Sequence, residues 1–246
     1  MSRHAQHHEI SGISVHALAD LSGASTVTIR RDLADLEGQG LLRRVHGGAV
    51  TVDRRGSPHP YAVRALENSS AKTAIASHVA SLIGDGTSVV LDNGSTVTSV
   101  ARALSGRPIT ALCLSLHAAV ELGGGDATAV IVPGGRIAPG GLSADAASSI
   151  ATLDNFRADT AVIGACSAAP SAGLTVTASE DAMVKRAILA CSARVILAAT
   201  GDKLARTSSF RFGQVEDLDD LVTTQDAPEQ ALDEFHAAGV HIHFAR

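Results

Sequence analysis

The sequence contains no tryptophan, and aromatic residues make up only 2% of its 246 residues. Hydrophobic residues nevertheless reach 45%, which is enough to bury a core. That core must consist mainly of alanine, valine, leucine and isoleucine. Such side chains suit a fold in which helices are layered on a sheet. The length allows one large domain or two unequal ones.

Other features are scarce as well. The three cysteines, Cys113, Cys166 and Cys191, show no CxxC or other paired spacing, which fits buried thiols in a reducing compartment. The polar residues 4–9 do not resemble a signal peptide, and no apolar run reaches the length of a membrane span. We therefore expect a cytoplasmic protein that has no membrane partner.

The net charge of −5 would by itself argue against a nucleic-acid partner. The charge is unevenly distributed, however. Residues 1–56 contain seven arginines, no lysine and six acidic residues, for a net charge of +1, whereas residues 57–246 carry −6. The arginines of the first segment include the pairs Arg30-Arg31 and Arg43-Arg44. A small head with clustered arginines can present a basic face.

The polar stretch 53–60, DRRGSPHP, is the best candidate for a linker. The stretch 61–86 after it predicts a helix, because apolar residues recur from Ala71 to Ile83 with a period near 3.6 and Gly84-Asp85-Gly86 ends the pattern. Predicted strands and helices then alternate, which indicates βαβ units and a mostly parallel, Rossmann-like α/β sheet. The strands are expected at 88–92, 109–115, 129–135, 160–165 and 194–199, with candidates at 218–224 and 240–244, and the helices at 95–104, 117–123, 146–156 and 180–192.

The arginine pairs lie within a pattern typical of a winged helix-turn-helix. Residues 14–25 predict a short helix that is broken at Gly23, and Ser25 is a natural N-cap for a second helix. On that helix Val27, Arg30, Leu33 and Ala34 share one side, with Leu36 beside them. Residues 41–52 predict a hairpin, or wing, with glycines at its tip. A second helix of this kind enters the major groove of DNA, and a wing follows the backbone or the minor groove.

We predict that DNA is contacted by Ser25, Thr26, Thr28, Arg30, Arg31, Arg43, Arg44, His46 and Gly47. In the alternative interpretation, Arg30 and Arg31 belong to a solvated helix face in which Arg31 pairs with Asp35.

The pattern S-x-x-T-I-R-R-D-L-x-x-L-x-x-x-G-x-L-x-R-x-H-G-G-A, from Ser25 to Ala49, resembles the DeoR family of bacterial transcriptional regulators. The resemblance covers nearly the whole chain. It continues at Arg64, Asn68 and Lys72, at Asp92, Gly94, Ser95 and Thr96, at Gly134-Gly135, at residues 173–175 and 184–186, and at Lys203. It implies a winged-helix head and a C-terminal domain that resembles ribose-5-phosphate isomerase. Such a domain binds a phosphorylated sugar-type metabolite and controls release from the operator, usually in an oligomer.

The residues themselves support a phosphate site. Asp92-Asn93-Gly94 follow a predicted strand and Ser95-Thr96 begin a helix, so the first amides and hydroxyls of that helix can face a phosphate beyond the end of the strand. Lys203 can supply a counter-charge, whereas Lys72 and Lys185 are weaker candidates because lysines on helices are usually solvated. The predicted effector site comprises Asp92, Asn93, Gly94, Ser95, Thr96, Lys72 and Lys203. In the alternative interpretation, the turn is an ordinary serine-capped one and Lys203 is a surface lysine.

The sequence departs from the family pattern at positions that would carry acids. Cys166-Ser167 stand where an Asp-Gly pair is usual, and Thr200 stands where an aspartate is usual. A proton-transferring enzyme needs a positioned base, so we predict no catalytic residue, and Cys166 is more simply a small buried residue than a nucleophile. Two alternatives remain, a sugar-phosphate isomerase and a DNA-binding scaffold whose large domain only oligomerises.

The N-terminus departs from the pattern too. Residues 1–14 are polar and about a turn short of the family's first helix, with Ile10 and Ile13 as anchors. The spacing of His4, His7 and His8 could place them round a metal, but no cysteine or carboxylate completes a site. We therefore expect no metal and no cofactor.

The prediction is a winged helix-turn-helix domain at 1–53, a linker at 54–70 and an effector-binding and oligomerisation domain at 71–246. The expected partners are double-stranded operator DNA, a phosphorylated small-molecule effector and further copies of the chain, as a dimer or a tetramer.

Overall fold

The computed structural model describes residues 12–38, 42–51, 61–124, 127–204 and 206–246. The chain divides into two compact units, Met1–His59 and Pro60–Arg246. The predicted linker at 54–70 thus includes residues that group with the larger unit. The predicted histidine cluster at residues 4–8 and the anchor Ile10 lie outside the described residues.

The described part of the smaller unit contains two helices and a three-stranded antiparallel sheet. Its elements are β1 (Gly12–Ser14), α1 (Val15–Ser22), α2 (Thr26–Gly38), β2 (Leu42–Val45) and β3 (Gly48–Thr51), and the strand order is β1-β3-β2. The two predicted helices and the hairpin are confirmed. The segment 12–14 is a strand rather than the end of a helix, because its backbone pairs with β3, with Ile13 opposite Ala49.

Local capping explains where the helices of the smaller unit begin and end. Ser14 Oγ accepts the N–H of Ala17 at 3.1 Å at the start of α1, and Gly23 ends that helix with a left-handed φ of 69°. Ser25 Oγ accepts the N–H of Thr28 at 3.1 Å, which confirms the predicted N-cap of α2.

α2 packs against the rest of the smaller unit through one row of side chains. Ile29 and Leu33, one turn apart, form the core with Val15, Ala19 and Ala49, whereas Val27 is 73% exposed. Ile29 and Leu33 form the i, i+4 row that packs on α1, and Val27 lies outside that row.

The larger unit is a parallel sheet with helices on both faces. Its elements are α3 (Tyr61–Leu66), α4 (Ser69–Leu82), β4 (Ser88–Leu91), α5 (Ser95–Leu104), β5 (Thr110–Cys113), α6 (Leu116–Leu122), β6 (Ala129–Ile131), α7 (Ala146–Asp154), β7 (Thr160–Ile163), β8 (Ser167–Ala169), β9 (Gly173–Val176), α8 (Ser179–Cys191), β10 (Val195–Ala198), β11 (Phe210–Gly213), β12 (Asp220–Thr223), α9 (Glu229–Ala237) and β13 (His241–Phe244).

The main sheet has the order β13-β12-β10-β7-β4-β5-β6, and every neighbouring pair is parallel. Alternate residues of β4 enter two separate cores. Val90 packs in the cluster that includes residues of α7, α8 and α9, and Val89 and Leu91 pack in the cluster that includes residues of α4, α5 and α6. The predicted strands and helices from 88 to 199, and both candidate strands after them, are confirmed.

Three features were not predicted. Asn68 adopts a left-handed φ of 51° and separates α3 from α4, so the stretch 61–86 is two helices rather than one. A second, antiparallel sheet of order β11-β9-β8 and the helix α9 are also present. The strands of the small sheet are short, and β9 pairs with β11 across more than thirty intervening residues, so no local pattern marks them.

The strand order places a crevice beside β4. The chain adds β5 and β6 on one side of β4 and then returns to add β7, β10, β12 and β13 on the other side. In open α/β sheets, ligands bind at such a reversal, beyond the carboxyl ends of the strands. Here those ends are Asp92 after β4 and Gly164 after β7.

Candidate DNA-binding surface and effector site

The N-terminal half of α2 carries most of the predicted DNA-contacting side chains. Thr28, Arg30 and Arg31 are exposed, and Thr26 is half-buried. The exposed residue Ser25 uses its hydroxyl as the cap, and its Oγ also shares a hydrogen bond of 2.9 Å with Thr28 Oγ1. The two arginines therefore extend from a helix end whose backbone is already fixed. Within the described part of the smaller unit, Arg31 and Asp35 form no ion pair.

The β2–β3 hairpin forms the wing, with His46 and Gly47 at its tip. Gly47 has a φ of 81°, a conformation that favours glycine. The tip is attached to the rest of the smaller unit because the Val15 N–H donates to the Gly47 carbonyl at 2.9 Å. The N–H of Arg44 donates to Glu37 Oε1 at 2.8 Å, which ties β2 to the end of α2.

The exposed side chains of Arg44 and His46 are thus held on a fixed hairpin. Arg43 lies on β2, and its side chain falls outside the described part of the chain. That Arg43 and the other named residues contact DNA stays a prediction.

The turn from β4 into α5 contains the predicted phosphate site. Gly94 is the N-cap of α5 and provides no side-chain cap. The first amides of a helix have no carbonyl in a preceding turn, and the helix dipole gives this end a partial positive charge. Ser95 does not cap the helix, because its hydroxyl donates to the carbonyl of Arg64 at 3.2 Å. Thr96, next in the chain, is half-buried.

Lys72 lies close to this turn, and Lys203 lies near enough to Lys72 for its charge to act on it. Lys72 on α4 is only 7% exposed, and its Nζ donates to the same Arg64 carbonyl. Burial lowers the pKa of Lys72, and the positive charges of Lys203 and Arg64 act in the same direction, against Glu67. Lys203 follows β10 on a short 3-10 helix, with its Nζ 3.4 Å from Asp202 Oδ2. A dianionic phosphate would compensate both lysines.

A buried ion cluster lies in the crevice itself. Lys185 on α8 is 2% exposed and donates to Oδ2 of Asp92, which is fully buried and also accepts the Gly164 N–H at 2.9 Å. Asp181 lies 3.9 Å from Lys185 Nζ and accepts from Asn93 Nδ2 at 3.1 Å. The expectation that Lys72 and Lys185 are solvated was therefore wrong, because tertiary packing brings buried acceptors to both.

The charges of this cluster do not cancel. Burial by itself would lower the pKa of Lys185, but the carboxylates of Asp181 and Asp92 outweigh it and raise that pKa. The pKa of Asp181 is raised as well, by burial first, with the negative charge of Asp92 adding to it and Lys185 opposing. The other oxygen of Asp92, Oδ1, has no hydrogen-bond partner among the described residues. The cluster therefore favours a ligand that brings hydrogen-bond donors.

Comparison with known proteins shows what this architecture belongs to. The DeoR-like helix-turn-helix domain matches residues 8–55, and the DeoR C terminal sensor domain matches residues 67–225. The chain belongs to the DeoR family. This DeoR-family chain is a DNA-binding transcriptional regulator and not an enzyme, as its relatives are.

Two relatives show how far the similarity extends. The transcriptional repressor AccR of Agrobacterium fabrum is 34% identical over 86% of this chain and 83% of its own. The transcriptional regulator GlpR of Haloferax volcanii is 33% identical over 94% and 91%. Among solved structures, ribose 5-phosphate isomerase A from Methanocaldococcus jannaschii aligns with 56% of this chain and 55% of its own, at 16% identity and a TM-score of 0.42.

This regulator differs from the family pattern after β7 and β10. Cys166 is half-buried, and Ser167 Oγ is paired with Ser208 Oγ at 2.7 Å. Thr200 donates its hydroxyl to Asp202 Oδ1 at 2.6 Å. Among the described residues, the carboxylates near the crevice include Asp92, Asp181 and Asp202, and of these three only Asp92 was among the predicted site residues.

Two further findings concern the described residues of the regulator. They include no helix long and apolar enough to cross a membrane. They also include no group of three or more histidine, cysteine, aspartate or glutamate residues arranged to hold a metal ion.

Proposed function

We propose that this DeoR-family regulator binds its operator through the N-terminal half of α2 and the wing, and that a phosphorylated sugar-type molecule releases it. The operator contacts are those of Arg30 and Arg31 in the major groove and of Arg44 and His46 from the wing. Arginine grips guanine with two hydrogen bonds, and threonine reaches phosphates or base edges. Such a regulator acts where the chromosome is, in the cytoplasm.

The observation that carries the effector half of the proposal is the convergence of positive charge at one sheet edge. Lys72 from α4 and Ser95 at the start of α5 share the Arg64 carbonyl, and the charge of Lys203 after β10 acts on Lys72. The neighbouring Asp92, Asp181 and Asn93 offer acceptors and one amide. A molecule with a phosphate at one end and hydroxyl groups at the other matches this division of charge.

Release requires that the effector binds one conformation of the protein better than another. Helix-turn-helix regulators read two half-sites about one DNA turn apart, which requires two heads in one assembly. We therefore propose a homo-oligomer, a dimer or a tetramer, in which effector binding disfavours the spacing that the operator needs.

The test is a titration of labelled DNA from upstream of the regulator's own gene, at two salt concentrations, with and without a pool of sugar phosphates. We expect sequence-preferring binding that falls steeply with salt and weakens when the pool is added. Preferential binding that the pool leaves unchanged would refute the effector half of the proposal and favour a scaffold. Absence of preferential binding at low salt would refute the operator half for that DNA.

Three variants sharpen the titration. Arg31→Ala should weaken operator binding by about 1–3 kcal/mol, whereas Arg136→Ala, which removes an exposed arginine of the larger unit, should leave it unchanged. Lys203→Gln should keep full DNA affinity and lose the response to the pool. Equal losses in Arg31→Ala and Arg136→Ala would show that only net charge matters.

A further inference from the structure

The carbonyl oxygen of Arg64 occupies two donors of the proposed phosphate site. Ser95 Oγ donates to it at 3.2 Å, and Lys72 Nζ donates to the same oxygen. Arg64 lies in the last turn of α3, where carbonyls lack helical partners and carry partial negative charge. This oxygen therefore accepts hydrogen bonds from the same donors that a phosphate oxygen would use.

Ser95 cannot serve both acceptors at once. A serine hydroxyl has one proton to donate, so a phosphate oxygen that takes this proton must replace the Arg64 carbonyl. Lys72 has three N–H donors, but it is buried, and its burial makes an anionic partner more favourable than a neutral carbonyl. A phosphate bound at Ser95 and Lys72 thus replaces the carbonyl at Ser95 and competes with it for Lys72.

The side chains of α3 pack only shallowly on the larger unit. None of its six residues is buried, and Leu66 is 81% exposed. Tyr61 anchors the start of the helix, because its ring stacks on His117 with centroids 3.8 Å apart and its hydroxyl donates to Thr98 Oγ1 at 2.9 Å. So short a helix is not stable without tertiary contacts, and elements with few buried contacts open first.

We infer that the effector's phosphate displaces the Arg64 carbonyl from Ser95 and Lys72 and so loosens α3. This inference rests on the proposed function, because it requires that phosphate binds at the start of α5. In chain order α3 is the first described helix after the smaller unit. Displacement would therefore link occupancy of the effector site to the element through which the chain reaches the DNA-binding head.

Hydrogen–deuterium exchange of the full-length protein tests this inference, with inorganic phosphate as the probe and chloride at equal ionic strength as the control. We expect phosphate to slow exchange at residues 95–98 and to speed it at residues 61–67. Slower exchange at 95–98 with unchanged or slower exchange at 61–67 would overturn the displacement while the phosphate site stands. No change at 95–98 would refute the site, and the displacement with it.

Variants that weaken α3 from its far end provide the second test. Tyr61→Phe removes the bond to Thr98, and His117→Ala removes the stacking partner, and neither change touches Ser95 or Lys72. If phosphate must displace α3, each variant should bind phosphate roughly fivefold more tightly, the equivalent of one net hydrogen bond. Thr152→Ala, which removes a hydroxyl bonded within α7, should bind phosphate like the unmodified protein. Unchanged phosphate affinity in both α3 variants would overturn the inference.

Discussion

Replacing Lys185 with methionine tests whether the buried ion cluster is as costly to break as its burial implies. The change keeps a long, flexible side chain and removes only the cation. Asp92 is fully buried, and without Lys185 it would keep the Gly164 N–H on one oxygen and no described partner on the other. Breaking one side of a buried ion pair costs about 3–5 kcal/mol.

The expected loss in Lys185→Met is therefore about 3–5 kcal/mol in the free energy of unfolding. Urea unfolding of the full-length protein at pH 7 measures this loss. Lys203→Met is the control, because Lys203 has 29% of its side chain exposed and should cost less than about 1 kcal/mol. The double variant Asp92→Asn/Lys185→Met should recover most of the loss, since asparagine carries no charge. A loss below about 1 kcal/mol would refute the reasoning.

Three further predictions follow from single contacts. Gly48→Ala should destabilise the smaller unit by about 1–3 kcal/mol and weaken operator binding, because the added methyl would overlap the backbone carbonyl of Ile13. Gly38→Ala is the control, since its methyl meets nothing within 4 Å. Thermal unfolding and DNA titration of both variants measure the difference. Burial would raise the pKa of Asp220, but hydrogen bonds from Arg194 and His243 outweigh it and lower that pKa. The stabilisation is therefore present above about pH 4 and lost as the pH falls through the lowered value, so Asp220→Asn should flatten an acid-unfolding curve. The pKa of Lys72 is lowered, so this lysine should lose its charge at a lower pH than an ordinary lysine does. Phosphate affinity should therefore decline as the pH rises towards that lowered value. Calorimetry of Lys72→Arg should show the same decline at a higher pH.

Much of the fold could be predicted because its signals are local. The period of the apolar residues, the cap at Ser25 and the glycines at the wing tip each act within a few residues, and the structure bears them out. The alternation of strands and helices likewise predicted the parallel sheet. The break at Asn68 was missed because a left-handed asparagine interrupts a pattern whose apolar period continues beyond it.

The candidate site divides in the same way. Asp92, Gly94 and Ser95 could be found because they form one continuous turn after a strand. Asp181 and the buried state of Lys185 could not, since they depend on α8 crossing the crevice more than eighty residues later in the chain. A lysine on a helix has no local feature that separates a solvated side chain from a buried one.

The sequence by itself determined the order of the elements, the two-part division of the chain and the identity of the arginine-bearing helix, since backbone preferences and apolar periodicity act over short distances. Only the tertiary structure decided which side of α2 is buried, that Lys72 and Lys185 lie inside the protein, and that the Arg64 carbonyl occupies the proposed phosphate donors. Those properties depend on contacts between elements far apart in the chain, where burial and charge are set by neighbours that no local pattern specifies.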